Sequence, residues 1–128
     1  MIVLDTHAWL WWISDPQRLS AAARAAVEQA DSIGVCTISC WEFGMLVEAG
    51  RIRIDREPHR WMRQALAADR TATIPLTAET ALSAALLPSA FPGDPADRII
   101  YATAVAHGAP LITRDERISS FDRQRAIW

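Results

Sequence analysis

The 128-residue sequence contains no lysine and no asparagine, so all 13 of its basic residues are arginine. Without lysine there is no P-loop side chain to reach a nucleotide's phosphates and no amine for Schiff-base catalysis. Without asparagine there is no N-glycosylation acceptor and no Cys-His-Asn catalytic set. Only two cysteines occur, Cys36 and Cys40, fewer than a small secreted disulfide scaffold carries. Their C-x-x-x-C spacing has no second ligand pair, which favours reduced, buried thiols over a zinc site. The longest apolar runs, Ala8 to Ile13 and Ile99 to Ala106, fall short of the ~18 residues of a membrane span. The opening Met1, Ile2, Val3, Leu4, Asp5 lacks the basic region of a secretory signal. A soluble, cytoplasmic protein is therefore expected. The motifs G-x-S-x-G and G-x-G-x-x-G are missing too. A net charge of -2 supplies no general basic field, which leaves any nucleic-acid contact to local arginine patches.

What is present suffices for one hydrophobic core. Apolar residues make up 51% of the chain and charged residues 22%, which excludes a disordered chain and fits a single domain over residues 1–128. Met1 to Leu4 is a short β-prone run, and Thr6 to Ser14 switches to helical spacing of Trp9, Trp12 and Ile13. Ser20 caps an alanine-rich helix over Ala21 to Ala30, and Ile33 to Ile38 returns to strand character. Ser39 and Glu42 have the capping-box spacing ahead of Phe43, Met45 and Leu46, with Gly50 as the stop. Pro58 to Ala68 predicts a helix, Thr73 to Leu76 a strand, and Thr77 to Leu87 a helix capped by Thr77. Asp94 and Pro95 open a helix running to His107, ended by Gly108. The strand Pro110 to Thr113 follows, and Arg125 to Trp128 fits an edge strand. Strands alternating with helices predict an α/β fold whose parallel sheet carries helices on both faces.

The carboxylates fall where such a sheet would gather them. Asp5 continues the first strand, Asp115 lies just past the strand Pro110 to Thr113, and Glu42, Asp94 and Asp97 fall in the first turns of expected helices. All these positions belong to the carboxyl edge of a parallel sheet, where ligands bind at the topological switch point. Four carboxylates in one cleft repel one another by several kcal/mol at an effective dielectric of ~20, which a divalent cation relieves. Oxygen ligands select Mg²⁺ or Mn²⁺ over zinc, and Mg²⁺ bound by one or two carboxylates plus substrate phosphate points to phosphodiester chemistry. Structural roles compete at each position. Glu42 fits a capping box, Asp94 a helix cap, Asp97 a partner for the helix dipole, and Asp115 a solvated charge run with Arg114, Glu116 and Arg117. Asp5 alone, at the end of a central apolar strand, has no inexpensive structural role.

Leu4-Asp5-Thr6-His7 with Trp11-Trp12, Trp41-Glu42, Asp94-Pro95-Ala96-Asp97-Arg98 with Ala102-Thr103-Ala104, and Leu111-Ile112-Thr113-Arg114-Asp115 together resemble the PIN-domain family, specifically VapC-type toxins. The resemblance spans nearly the whole chain. It implies a three-layer α/β fold with a central, mostly parallel sheet flanked by helices, and an Mg²⁺- or Mn²⁺-dependent endoribonuclease. The implied partners are an RNA substrate, a VapB-type antitoxin and a second copy of the chain in a homodimer. It also implies that Asp5, Glu42 and Asp97 are the core metal-holding catalytic acids and Asp115 a more variable fourth. Asp94 then either joins the metal site or caps the helix. Two other readings remain open: a structure-specific DNA nuclease built on the same acids, and a catalytically silent module that binds RNA or a partner.

Other residues support smaller expectations. Thr6 and Thr113 can serve the site through hydrogen bonds or simply cap and pack, and His7 and His107 lack a ligand pattern. Trp9, Trp11 and Trp12 cannot all face one core, so either one lies on an exposed patch or they cover a satellite core beneath the Ser20 helix. Arg51, Arg53, Arg56, Arg60 and Arg63 form a stretch able to track an RNA backbone or to serve as a solvated face.

Overall fold

Ile2, Val3 and Leu4 are apolar in succession, the pattern of a strand covered on both faces. In the computed structural model, which describes all 128 residues, they form β1 (Ile2–Leu4) at the centre of the sheet. The other strands are β2 (Ile33–Cys36), β3 (Thr71–Ile74), β4 (Leu111–Ile112) and β5 (Ala126–Ile127), in the spatial order β3-β2-β1-β4-β5. Every neighbouring pair is parallel. The chain moves outward from β1 on one side and then returns to add β4 on the other, so the order reverses between β1 and β4. That reversal opens a crevice at the carboxyl ends of these two strands.

The helices are α1 (Thr6–Ser14), α2 (Ala21–Gln29), α3 (Thr37–Glu48), α4 (Pro58–Leu66), α5 (Ala78–Ala85), α6 (Pro95–Ala106) and α7 (Glu116–Phe121). They form two layers because alternate strand residues point to opposite faces. Ile2 and Leu4 enter one core with Trp9, Val27, Phe43 and Trp61, whereas Val3 enters another with Phe91, Ile100, Tyr101 and Ile118. In the first core the Phe43 and Trp61 rings stack at 4.7 Å, and Trp9 meets both edge-on. Truncating a buried aromatic such as Trp9 would cost about 3–5 kcal/mol. Gly34 lets β2 sit against β3's Ile74, since a Cβ there would lie 2.6 Å from Ile74 Cδ1. Gly108, at φ +59, turns the chain out of α6 toward β4 in a conformation that suits glycine.

Arg98 fixes the segment that enters α6. Its guanidinium donates to the carbonyls of Ala84, Leu87, Pro88, Phe91 and Pro92 at 3.0–3.4 Å. These contacts take up the open end of α5 and the loop after it.

Four expectations need correction. The helix after β2 starts at Thr37 with Cys36 as its cap, so Ser39 and Glu42 form no capping box and Glu42 lies in the second turn. Asp5 does have a structural role, because its side chain accepts from Ala8 N at 2.8 Å and caps α1. The charge run after β4 is the start of a further helix, α7, capped by Asp115. No tryptophan of α1 is the exposed one: Trp9 is buried, and Trp11 and Trp12 are half-buried against the first core. The exposed indole is Trp41, at 60%.

Candidate active site

The crevice between β1 and β4 is an open cleft of about 600 Å³, and Asp5, Glu42, Asp94, Asp97 and Asp115 all line it. Four remote segments of the chain thus deliver the acids singled out in the sequence to one place. Three are held by helix N-termini, whose unsatisfied N–H groups bind a carboxylate oxygen. Asp5 accepts from Ala8 N, Asp94 accepts from Asp97 N at 3.0 Å, and Asp115 accepts from Arg117 N at 2.8 Å. Each capping bond engages one carboxylate oxygen.

Glu42 and Asp97 are held differently. Glu42 projects from the second turn of α3 and accepts a short hydrogen bond from Thr6 Oγ1. Thr6 has a single hydroxyl proton, so its 3.0 Å contact with buried Ser39 uses the Ser39 hydroxyl as donor. Buried Thr6, backed by buried Ser39, sets the Glu42 carboxylate from 36 residues away in sequence. Asp97 sits in the first turn of α6, and its neighbours are mainly other acids.

The electrostatics follow from this crowding. Burial, then the charges of Asp94, Glu42, Asp115 and Asp5, push the Asp97 carboxyl up to about 7. Burial also raises Glu42, with Asp94 and Asp5 adding to the rise and the Thr6 hydrogen bond opposing it. Asp5 is raised by burial, against hydrogen bonds from Thr113 and Ala8 N. Asp115 is the exception: its hydrogen bonds to Arg117, with a 2.7 Å contact to Nη2, hold it below the ordinary carboxylate range. Thr113, fully buried, joins the two strand ends, bonding Asp5 and accepting from Asp115 N at 3.1 Å.

An oxygen-rich cleft in which Asp5, Glu42 and Asp97 resist ionisation suits a hard divalent cation. No three acids or histidines form a closed ligand cage. A cation here would therefore complete its shell with water and substrate oxygens. Of the five acids only Asp115 has an ion-pair partner, so Asp5, Glu42, Asp94 and Asp97 are the carboxylates that could be offered to it. The cysteines have no part here; burial raises the Cys36 thiol to about 11.

Residues 2–124 match the PIN domain profile. The chain belongs to the PIN-domain family. Over 126 residues, covering 98% of this PIN-domain chain and 95% of its relative, it is 44% identical to the protein named Ribonuclease VapC22 of Mycobacterium tuberculosis. Its fold is that of two solved assemblies. One is a toxin–antitoxin complex from Klebsiella pneumoniae, with a TM-score of 0.69 and 18% identity over 100% of this chain and 97% of that one. The other is VapBC2 from Rickettsia felis bound to a promoter DNA fragment, with a TM-score of 0.70 and 15% identity over 99% of this chain and 98% of that one.

The PIN-domain cleft also contains residues with weaker signals in the sequence. His7, Trp11, Arg114 and Arg117 complete its walls. The signal for Arg117 lay in its spacing of two from Asp115 at a helix start, which was hidden while α7 went unrecognised. His7 follows directly on the Asp5-Thr6 pair, a proximity that could have marked it.

Proposed function

We propose that this PIN-domain chain is a metal-dependent endoribonuclease that hydrolyses RNA phosphodiester bonds and acts as the toxin of a toxin–antitoxin pair. The observation that carries the reading is the five-acid cleft at the topological switch point, where burial and then the surrounding acids push the Asp97 carboxyl up to about 7. The 44% identity to a protein named as a ribonuclease supports RNA as the polymer. Asp5, Glu42, Asp97 and Asp115 are the catalytic acids in this reading, with Asp94 at the rim of the same site. Mg²⁺ or Mn²⁺, when bound there, supplies charge neutralisation at the phosphate and an activated water.

The chain's own residues then have distinct tasks. The cap at Ala8 N and the Thr113 hydroxyl orient Asp5, and the Thr6–Ser39 pair orients Glu42. Arg117 keeps Asp115 ionised and fixed. Arg114, on the rim, has no carboxylate partner and can meet a phosphate oxygen as the polymer enters. Two assemblies of this fold are toxin–antitoxin complexes. The partner fitting the cleft is an antitoxin segment that places an arginine or lysine among the acids, since a guanidinium pairs with carboxylates in two-point geometry.

The deciding experiment incubates the purified chain with structured RNA and, separately, with DNA, in Mn²⁺ or in EDTA. RNA cleavage that needs the metal is expected. Cleavage of DNA alone would transfer the site to the other polymer, and unchanged cleavage in EDTA would remove the acids from the chemistry.

A further inference from the structure

The cleft does not end at the acids. His7 and Trp11 form part of its wall and also line a neighbouring cavity of about 320 Å³, whose walls include Arg18, Arg51 and Arg53. That size is within the range of small-ligand pockets. Trp11 is the shared post between the two. The Arg18 guanidinium lies 4.6 Å from the Trp11 ring centroid, and the Arg114 guanidinium, on the acid side, lies 6.0 Å away. Trp128 and His7 brace the indole at 5.8 and 5.7 Å.

The arginines of the molecule divide into two groups. Arg56, Arg70, Arg98, Arg117 and Arg125 are tied to carboxylates, an amide or backbone carbonyls. The other eight have no side-chain hydrogen bond or ion pair, and four of these, Arg18, Arg51, Arg53 and Arg114, line the two adjoining cavities. Gathering unpaired like charges around one cavity is unfavourable unless a polyanion enters. A guanidinium lying on an indole keeps its outer face for a base and its edge N–H groups for phosphate oxygens. Leu10, Ile52 and Trp61 give the same cavity an apolar floor, which suits a nucleobase removed from its stack.

We infer that Arg18, Arg51 and Arg53, organised around Trp11, form a single-stranded RNA subsite that receives the nucleotide next to the scissile phosphate. The inference rests on the ribonuclease reading of the adjoining cleft. It also divides the arginine-rich stretch of the sequence: Arg51 and Arg53 face this cavity, Arg56 is engaged by Asp55 and Gln64, and Arg60 and Arg63 line neither cavity. A protein segment would find three uncompensated guanidiniums around its apolar floor, a poorer match than a phosphate-bearing chain.

The test measures fluorescence anisotropy of a single-stranded oligoribonucleotide of about eight nucleotides, within the span of single-strand sites. It uses Asp97→Asn protein, which holds RNA without cutting it, over a series of salt concentrations. Adding Arg51→Ala and Arg53→Ala should weaken binding about tenfold. The slope of log affinity against log salt should fall by ~0.7 for each phosphate contact removed. Arg51→Lys with Arg53→Lys should recover the salt slope and only part of the affinity, since charge returns without the planar face. Arg60→Ala with Arg63→Ala, an equal change in charge, should leave affinity near the parent's. In the metal-loaded wild-type background, the Arg51→Ala and Arg53→Ala pair should raise KM and leave kcat unchanged.

Equal losses from the two alanine pairs would overturn the subsite in favour of a diffuse field. Parent-like RNA affinity after Arg51→Ala and Arg53→Ala would also overturn it. If that variant instead lost only a protein partner, the cavity would be a protein dock. In each of these cases the wild type still cleaves RNA and the ribonuclease reading stands. A wild type that neither cuts RNA nor, as Asp97→Asn, binds it would bring down both.

Discussion

The acids of the cleft fall into two kinds, those that cap a helix and those that do not. Asp5, Asp94 and Asp115 each give one oxygen to a backbone N–H, so the fold itself uses them. Asp97 caps nothing, and Glu42 relies on a side-chain hydroxyl from another helix. A capping acid has a structural reason to be where it is. An acid pushed up to about 7 by burial and by other acids works against the fold, and such a group points to something that enters the cleft.

That contrast can be broken most sharply with activity. Asp97→Asn should remove metal-dependent RNA cleavage by roughly two to three orders of magnitude or more, the scale of deleting one preorganised charged group. Asp94→Asn, which keeps the cap, should lower it only modestly. Steady-state rates on one RNA substrate would check the pair, and the reverse ranking would exchange the two roles.

The next effect is on stability. Mg²⁺ or Mn²⁺ at a hundredfold excess over Kd should stabilise the wild type by about 2.7 kcal/mol, and Asp97→Asn or Asp5→Asn should reduce the gain. Without a divalent cation the sign reverses. Asp97 titrates near 7 when folded and near 3.8 when unfolded, so between these values the folded chain holds a proton that the unfolded chain has released. Its contribution therefore falls as pH rises from about 4 to about 7 and stays at its lowest above that. Asp97→Asn lacks this loss, so thermal melts should show the variant gaining on the wild type across the window. A constant gap would mean that the acids do not share one field.

The smallest effect belongs to the caps. Asp94→Ala should cost about 1 kcal/mol of stability, whereas Asp94→Asn should cost little because asparagine caps nearly as well. Chemical denaturation of the two variants would separate capping from cleft charge at a single position.

Much of this arrangement was legible in the sequence where punctuation is local. Asp94-Pro95 at the start of α6 and Gly108 after it fix a helix whose ends lie close to where those residues place them. The parallel sheet followed from strands alternating with helices. What escaped was either two-fold in purpose or set at long range. Asp5 is at once the residue after β1 and the cap of α1, because strand passes to helix with no loop between them. Glu42 lies three residues after Ser39 and imitates a capping box, but the helix begins earlier and the partner of Glu42 is Thr6, on another helix. At the start of α7, opposite charges crowd Arg114 to Arg117, so the opening of the helix reads equally as a solvated run.

Arg98 adjoins Asp97 in the chain yet directs its guanidinium to five backbone carbonyls and none of the acids. The segment between α5 and α6 thereby behaves as a bracket of fixed length. Its five carbonyls must keep their places around one planar group, so insertions there are poorly tolerated. A lysine at position 98, one ammonium with three donors, could not span the bracket. For this chain an arginine-to-lysine exchange at position 98 would loosen the entrance to the helix that carries Asp97.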